Sequence, residues 1–161
     1  MSDIQIPTLE AAPATPAARP LGVAVKPDVA GFVWGTGRRK TSVARVRIRP
    51  GTGLFEVKGN KKAKPHTVYF TEVQGQESCV APLKATEMTG KLDVFVTVDG
   101  GGFTGQAEAI TLGLARALKG YAPELETALR AGGFMTRDDR KVERKKYGQA
   151  GARRRFQFSQ R

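Results

Sequence analysis

The residues best suited to chemistry in this sequence are arginines and aromatic rings, gathered at its end. Residues 145–161 read KKYGQAGARRRFQFSQR, so Lys145, Lys146, Arg153, Arg154, Arg155 and Arg161 interleave with Tyr147, Phe156 and Phe158. Arginine presents a planar fork of donors that matches phosphate oxygens, and aromatic rings stack on unpaired bases. The stretch contains no Leu, Ile, Val, Met, Asp or Glu. It therefore has little apolar surface for a core and no counter-charge of its own, and a polyanion outside the chain must supply the balance.

A second basic cluster is GTGRRKT at 35–41. A phosphate-binding loop of the nucleotide type needs Gly immediately before the Lys, where this chain has Arg39, and the dinucleotide fingerprint needs a sixth-position Gly, where it has Lys40. The reading is that Arg38, Arg39 and Lys40 contact a nucleic-acid backbone. DGGGFTGQ at 99–106 puts glycines ahead of a helix. Their main role is expected to be a sharp strand-to-helix turn, since Asp99 beside them repels an anion.

Catalytic constellations are missing from the sequence. There is one histidine, His66, one cysteine, Cys79, and no Gly-x-Ser-x-Gly elbow. His66 is read as a surface or capping residue and Cys79 as ordinary packing. Asp138 and Asp139 lie beside Arg137, Arg140 and Lys141 and are expected to pair with them. No enzyme activity, cofactor, metal or small-molecule substrate is expected.

The elements that position these groups follow from periodicity. In TSVARVRIRP, Ala44, Val46 and Ile48 alternate with Arg45, Arg47 and Arg49. This is a half-buried strand whose outer face carries guanidinium groups about 6.6 Å apart. LFEVKG is a second short strand, followed by a lysine-bearing loop. In KLDVFVTVD, Leu92, Val94, Val96 and Val98 share one face. After the glycines the period becomes 3.6, with Ala107, Ile110, Leu114, Ala117, Leu118 and Tyr121 on one stripe and Thr104 as the expected N-cap. A further helix is expected from Pro123 to AGG, because proline's fixed φ suits a first helical position. The segment from His66 to Pro82 gives mixed signals. Strands followed by helices point to an α+β fold, a two-layer α/β sandwich.

Composition sets the frame. The chain has 161 residues, enough for one core, and 27 Lys plus Arg against 15 Asp plus Glu give a net charge of +12. Residues 137–161 hold ten basic and three acidic residues, more than half of that excess. The expected organisation is an Ala/Pro-rich disordered extension at 1–30, a globular RNA-binding domain at 31–136 and an extended basic tail at 137–161. A single cysteine fits a reducing, cytosolic setting. No membrane span, secretory signal or transit peptide is expected, and no amphipathic apolar face accompanies the arginines to favour a membrane surface. Ordering a 25-residue tail costs about 25–50 kcal/mol of backbone entropy, a cost that only a large, highly charged and pre-folded partner can offset.

GTGRRKTSVARV, DGGGFTGQAEAITLGLARAL and the ending GFMTRDDRKVERKKYGQAGARRRFQFSQR together resemble the bacterial small-subunit ribosomal protein S9 family over residues 31–161. The resemblance implies left-handed βαβ topology like the second domain of ribosomal protein S5, docked on small-subunit (16S-type) ribosomal RNA in the subunit head among other head proteins, in a cytoplasmic ribosome. It implies that Arg38, Arg39, Lys40, Arg153, Arg154 and Arg155 bind ribosomal RNA; Arg45, Arg47, Lys145, Lys146, Tyr147, Phe156 and Phe158 are read as contacts to the same RNA from their charge or rings. Ser159, Gln160 and Arg161 would touch transfer RNA in the peptidyl site. Three departures stand out: Gln160 where Lys is usual, Phe156 where Pro is usual, and Asp99 where His is frequent. Two other classes are compatible with the charge alone: a free RNA chaperone and a nucleotide-dependent enzyme.

Overall fold

The structure is a computed structural model and describes residues 24–59 and 62–159. The expected extension lies outside the described residues as far as residue 23. Its last residues are tied down, with the Val25 N–H donating to the Gly120 carbonyl at 2.8 Å.

Alternating apolar and polar residues build the sheet. Its strands are β1 (Val33–Arg39), β2 (Ser42–Pro50), β3 (Phe55–Lys58), β4 (Lys64–Pro65) and β5 (Leu92–Asp99), in the order β1-β2-β5-β3-β4. β2 pairs antiparallel with β1 and β5, while β3 runs parallel to β5 and antiparallel to β4. A parallel pair needs a long crossover. The link from β3 to β5 is made by β4, α1 (His66–Tyr69) and α2 (Val73–Ala85). After β5 come α3 (Phe103–Tyr121), a 3-10 turn at Pro123–Leu125 and α4 (Glu126–Ala131). The result is a mixed α+β fold with a five-stranded sheet and helices.

Side chains on a strand swap faces at each residue, so one sheet face enters the core. Ala44, Val46, Ile48, Val57, Val94 and Val98 are buried there against Ile110, Leu114 and Leu118 of α3. The opposite face stays open, carrying exposed Trp34, Arg45 and Arg47.

β1 was not apparent from the sequence because two of its inward positions are glycines, which lack any β signature. The structure explains them: a Cβ at Gly35 would fall on the Gly113 carbonyl, and one at Gly37 on the Ala109 carbonyl. Helix α3 lies directly on the backbone of β1, with Gly113 of the helix giving matching room.

α2 was hidden by Pro82, which sits inside it. Proline cannot donate to the carbonyl four residues back, here that of Ser78. The hydroxyl of Thr111 on α3 donates to that carbonyl instead, at 2.8 Å. The freed group is thus satisfied between helices, and the proline is accommodated.

One expectation needs correction. The N-cap of α3 is Gly102, without a side-chain capping bond, and Thr104 lies inside the first turn. Gly100 and Gly101 adopt φ of 71° and 66°, left-handed conformations that favour glycine. The chain turns on those residues and Gly102 takes the extended capping position, so the helix has already begun at Phe103 when it reaches Thr104.

Asp93, on the outward side of β5, is nevertheless buried. Its Oδ1 accepts N–H bonds from Thr52, Gly53 and Leu54 at 2.9, 3.2 and 3.2 Å, and Arg49 lies 3.4 Å from Oδ2. The Leu54 N–H first, then those of Thr52 and Gly53 with the Arg49 charge, hold this carboxyl below its ordinary range against the opposing effect of burial. A folded-state pKa below the unfolded one gives stability that is complete above roughly pH 4 and lost as pH falls through the folded value. Asp93→Asn should therefore flatten the acid limb of the stability curve and lower stability at neutral pH. Urea midpoints collected from pH 2 to 7 measure both effects.

Candidate nucleic-acid interface

The hairpin between β1 and β2 turns on Lys40 and Thr41, with Lys40 at φ 51°. Strand parity then decides what each basic residue does. Arg38 points to the open face and is exposed, as is Lys40 at the turn. Arg39 is one residue out of phase and faces the helices, where it is 7% exposed.

The Arg39 guanidinium is fully engaged within the chain. It donates through Nε to Glu108, through Nη2 to Asp138 Oδ2 at 3.0 Å and through Nη1 to the Arg140 carbonyl at 2.6 Å. The sequence groups Arg39 with Arg38 and Lys40 as a phosphate contact. In the structure it instead fastens the root of the tail to α3, because the two-residue alternation of β1 turns it inward.

Asp138 completes this anchor. Its carboxylate accepts from the Arg140 side chain at 2.8 Å and the Arg140 N–H at 2.9 Å. Those bonds, together with the Arg140 and Arg39 charges, hold the Asp138 carboxyl far below the usual carboxylate range. The expected pairing of Asp138 with Arg140 is present, and Asp139 is exposed. An Asp side chain bonded to the N–H two residues on competes with helix formation. Residues 137–146 accordingly form no helix despite their charge pattern.

Removing this anchor has a measurable consequence. Arg39→Gln should leave the sheet and α3 folded, cost about 1–3 kcal/mol, and expose Arg140 and Lys141 to trypsin about tenfold faster. Limited proteolysis read by intact mass, beside a thermal melt, separates loosening of the tail root from global unfolding.

Beyond the anchor, residues 137–159 contain no helix or strand. The tail is not uniformly extended. Gly148 takes φ 64°, and the Ala150 and Gly151 N–H groups donate to the Arg154 carbonyl at 2.9 and 3.2 Å. Arg153 reaches back to Glu143 with bonds of 3.0 and 2.7 Å. Lys145, Lys146, Arg154 and Arg155 are exposed without an ion pair among the described residues. Tyr147, Phe156 and Phe158 are exposed at 94%, 63% and 98%, far beyond what a side chain packed on its own domain would show. Ser159 is exposed, and Gln160 and Arg161 lie outside the described residues.

On the open sheet face, the register sets Trp34 beside Arg47 and Arg47 beside Phe95, and sets Thr36 beside Arg45 and Arg45 beside Thr97. Sequence reading identified Arg45 and Arg47 but missed Trp34 and Phe95. Their signal lay in strand parity, which was visible for β5 and concealed for β1 by its glycines.

The remaining candidates have structural explanations. Cys79 is buried with its thiol pushed up to about 12 by desolvation, so it is an unreactive packing residue. His66 packs edge-on against Phe55 with ring centroids 4.8 Å apart, and burial lowers its pKa. Among the described residues no cluster of His, Cys, Asp and Glu is arranged to hold a metal ion, and no helix is long and apolar enough to cross a membrane.

Residues 37–161 match the family of ribosomal protein S9/S16. The chain belongs to the ribosomal protein S9/S16 family. Small ribosomal subunit protein uS9 of Anaeromyxobacter sp. (strain K) is 52% identical over 125 residues, covering 78% of this chain and 93% of the relative. That of Maridesulfovibrio salexigens is 49% identical over 130 residues, 81% of this chain and 97% of the relative. Small ribosomal subunit protein uS9m of Arabidopsis thaliana is 48% identical over 134 residues, 83% of this chain but 30% of that longer relative. As an S9 family member the chain is a structural, non-enzymatic protein of the small ribosomal subunit. The nucleotide-dependent enzyme is thereby set aside.

Proposed function

We propose that this S9 family member holds folded small-subunit ribosomal RNA in the head of a cytoplasmic ribosome and helps retain peptidyl-site transfer RNA through its last residues. One observation carries the reading: beyond the Arg39 anchor Tyr147, Phe156 and Phe158 are exposed, and Lys145, Lys146, Arg154 and Arg155 are exposed with no ion pair among the described residues. Arg38, Lys40, Arg45, Arg47, Lys145, Lys146 and Arg153–Arg155 neutralise phosphates. Tyr147, Phe156 and Phe158 set the path of the tail by stacking on RNA. Arg39 serves by fixing where the tail leaves the domain. A left-handed crossover from β3 to β5, and likeness to the second domain of ribosomal protein S5, belong to the same proposal, as do contacts with other head proteins.

Ser159, Gln160 and Arg161 form the distal contact to transfer RNA. Deleting these three residues should leave subunit assembly intact and speed dissociation of peptidyl-site transfer RNA several-fold. Filter-binding off-rates on purified ribosomes provide the measurement. Off-rates equal to wild type in fully assembled ribosomes would remove the transfer RNA part of the proposal.

A further inference from the structure

The open face of the sheet contains a group of arginines and rings that the tail does not use. The Arg47 guanidinium lies 5.2 Å from the ring centroid of Phe32, 5.9 Å from Trp34 and 5.4 Å from Phe95. Phe32 and Phe95 meet edge to face at 5.9 Å. Arg49 joins the same rings at 5.4 and 5.5 Å, its charge directed to Asp93 at 3.4 Å. Trp34 remains 51% exposed.

These contacts hold the Arg47 guanidinium among three rings by cation–π attraction and leave it without an ion pair among the described residues. Arg45 beside it is exposed and likewise unpaired among them. A fixed guanidinium loses less freedom on meeting a phosphate than a mobile one. An exposed indole next to it gives a stacking surface.

The geometry points to this face as a second RNA contact, separate from the tail, that takes an unpaired stretch of RNA with a base on Trp34 and the adjoining phosphates on Arg45 and Arg47. The inference rests on the reading of the chain as an RNA-bound protein of the small subunit. The chemistry selects the occupant. A duplex offers the face phosphates but keeps its bases stacked inside, so Trp34 gains nothing from it. An unpaired strand offers phosphate and base together, which is what a sheet bearing both arginines and rings can bind. A protein partner would have to place acidic side chains over Arg45, Arg47 and nearby Arg38 and Lys58, on a face whose own acids are Glu56 on β3, exposed Asp99 at the end of β5, and Asp93, which Arg49 already engages.

Trp34 is the only tryptophan in the chain, so its emission reports on this face alone. The full-length protein is titrated at near-physiological salt with a labelled 12-nucleotide single-stranded RNA that cannot self-pair, and separately with a blunt RNA duplex of equal length. The single strand should quench Trp34 saturably and the duplex should not, although both bind through the tail. By anisotropy, Trp34→Ala should weaken single-strand binding about 5- to 150-fold, from about 1–3 kcal/mol of stacking per base, without altering duplex binding. Trp34→Phe should restore most of the loss, and Arg45→Gln with Arg47→Gln should reproduce it. Equal quenching by both probes, or none by either, overturns the inference. So does photo-crosslinking of this face to protein in assembled small subunits. In each case co-sedimentation of the variants with small subunits would leave the family-level reading standing.

Discussion

Deleting residues 145–161 is expected to lower affinity for small-subunit ribosomal RNA by orders of magnitude at low salt, with the difference shrinking steeply as salt rises. The deleted stretch holds Lys145, Lys146, Arg153, Arg154, Arg155 and Arg161, six cations with no acid among them. Each phosphate neutralised on duplex RNA or DNA contributes roughly 0.9 to the slope of log affinity against log salt, so six give about 5. Between 50 and 200 mM salt the advantage of the full-length chain should therefore fall about a thousandfold. The cut leaves the Arg39 anchor at Asp138 and Arg140 in place, and none of the buried core residues is removed. The thermal midpoint of the free protein should hardly move. A slope change below about 2, or a collapse of the melt, would show that the arginines act mainly within the chain.

The second large effect belongs to the fold. Gly37→Val should cost at least about 3 kcal/mol, the upper end for overpacking, out of a total stability of about 5–15 kcal/mol. A side chain there meets the Ala109 carbonyl and the Gly113 N–H, which are helix backbone and cannot rotate away. Relief requires lifting α3 from β1, which exposes Ile110, Leu114 and Leu118. Gly37→Ala should cost about 1–3 kcal/mol for the same reason. The two midpoints in urea, with unchanged m-values, would place the fault at this contact.

These two sites mark where sequence reasoning succeeded and where it stopped. β2, β5 and α3 were legible because each has one face in the core and one outside, so periodicity alone reveals them. β1 was not, since Gly35 and Gly37 replace the apolar half of its alternation and their function is to let α3 approach, a property of the partner helix. α2 was concealed by Pro82, whose lost bond is compensated by Thr111, a residue 29 positions away in the chain. Arg39 looked like its neighbours Arg38 and Lys40 in composition. Only the parity of an unrecognised strand separates a tail anchor from a phosphate contact. The tail's charge was plain from residue types, but the Gly148 turn and the Glu143 to Arg153 bond depend on contacts that no local pattern encodes.

The most direct test of the central claim is gradient sedimentation of the tagged full-length protein from gently lysed cells at near-physiological salt. It should co-migrate with small subunits, in about one copy per subunit, and be scarce in the free fractions. A protein found mostly free, or spread over RNAs of every size, would contradict that claim.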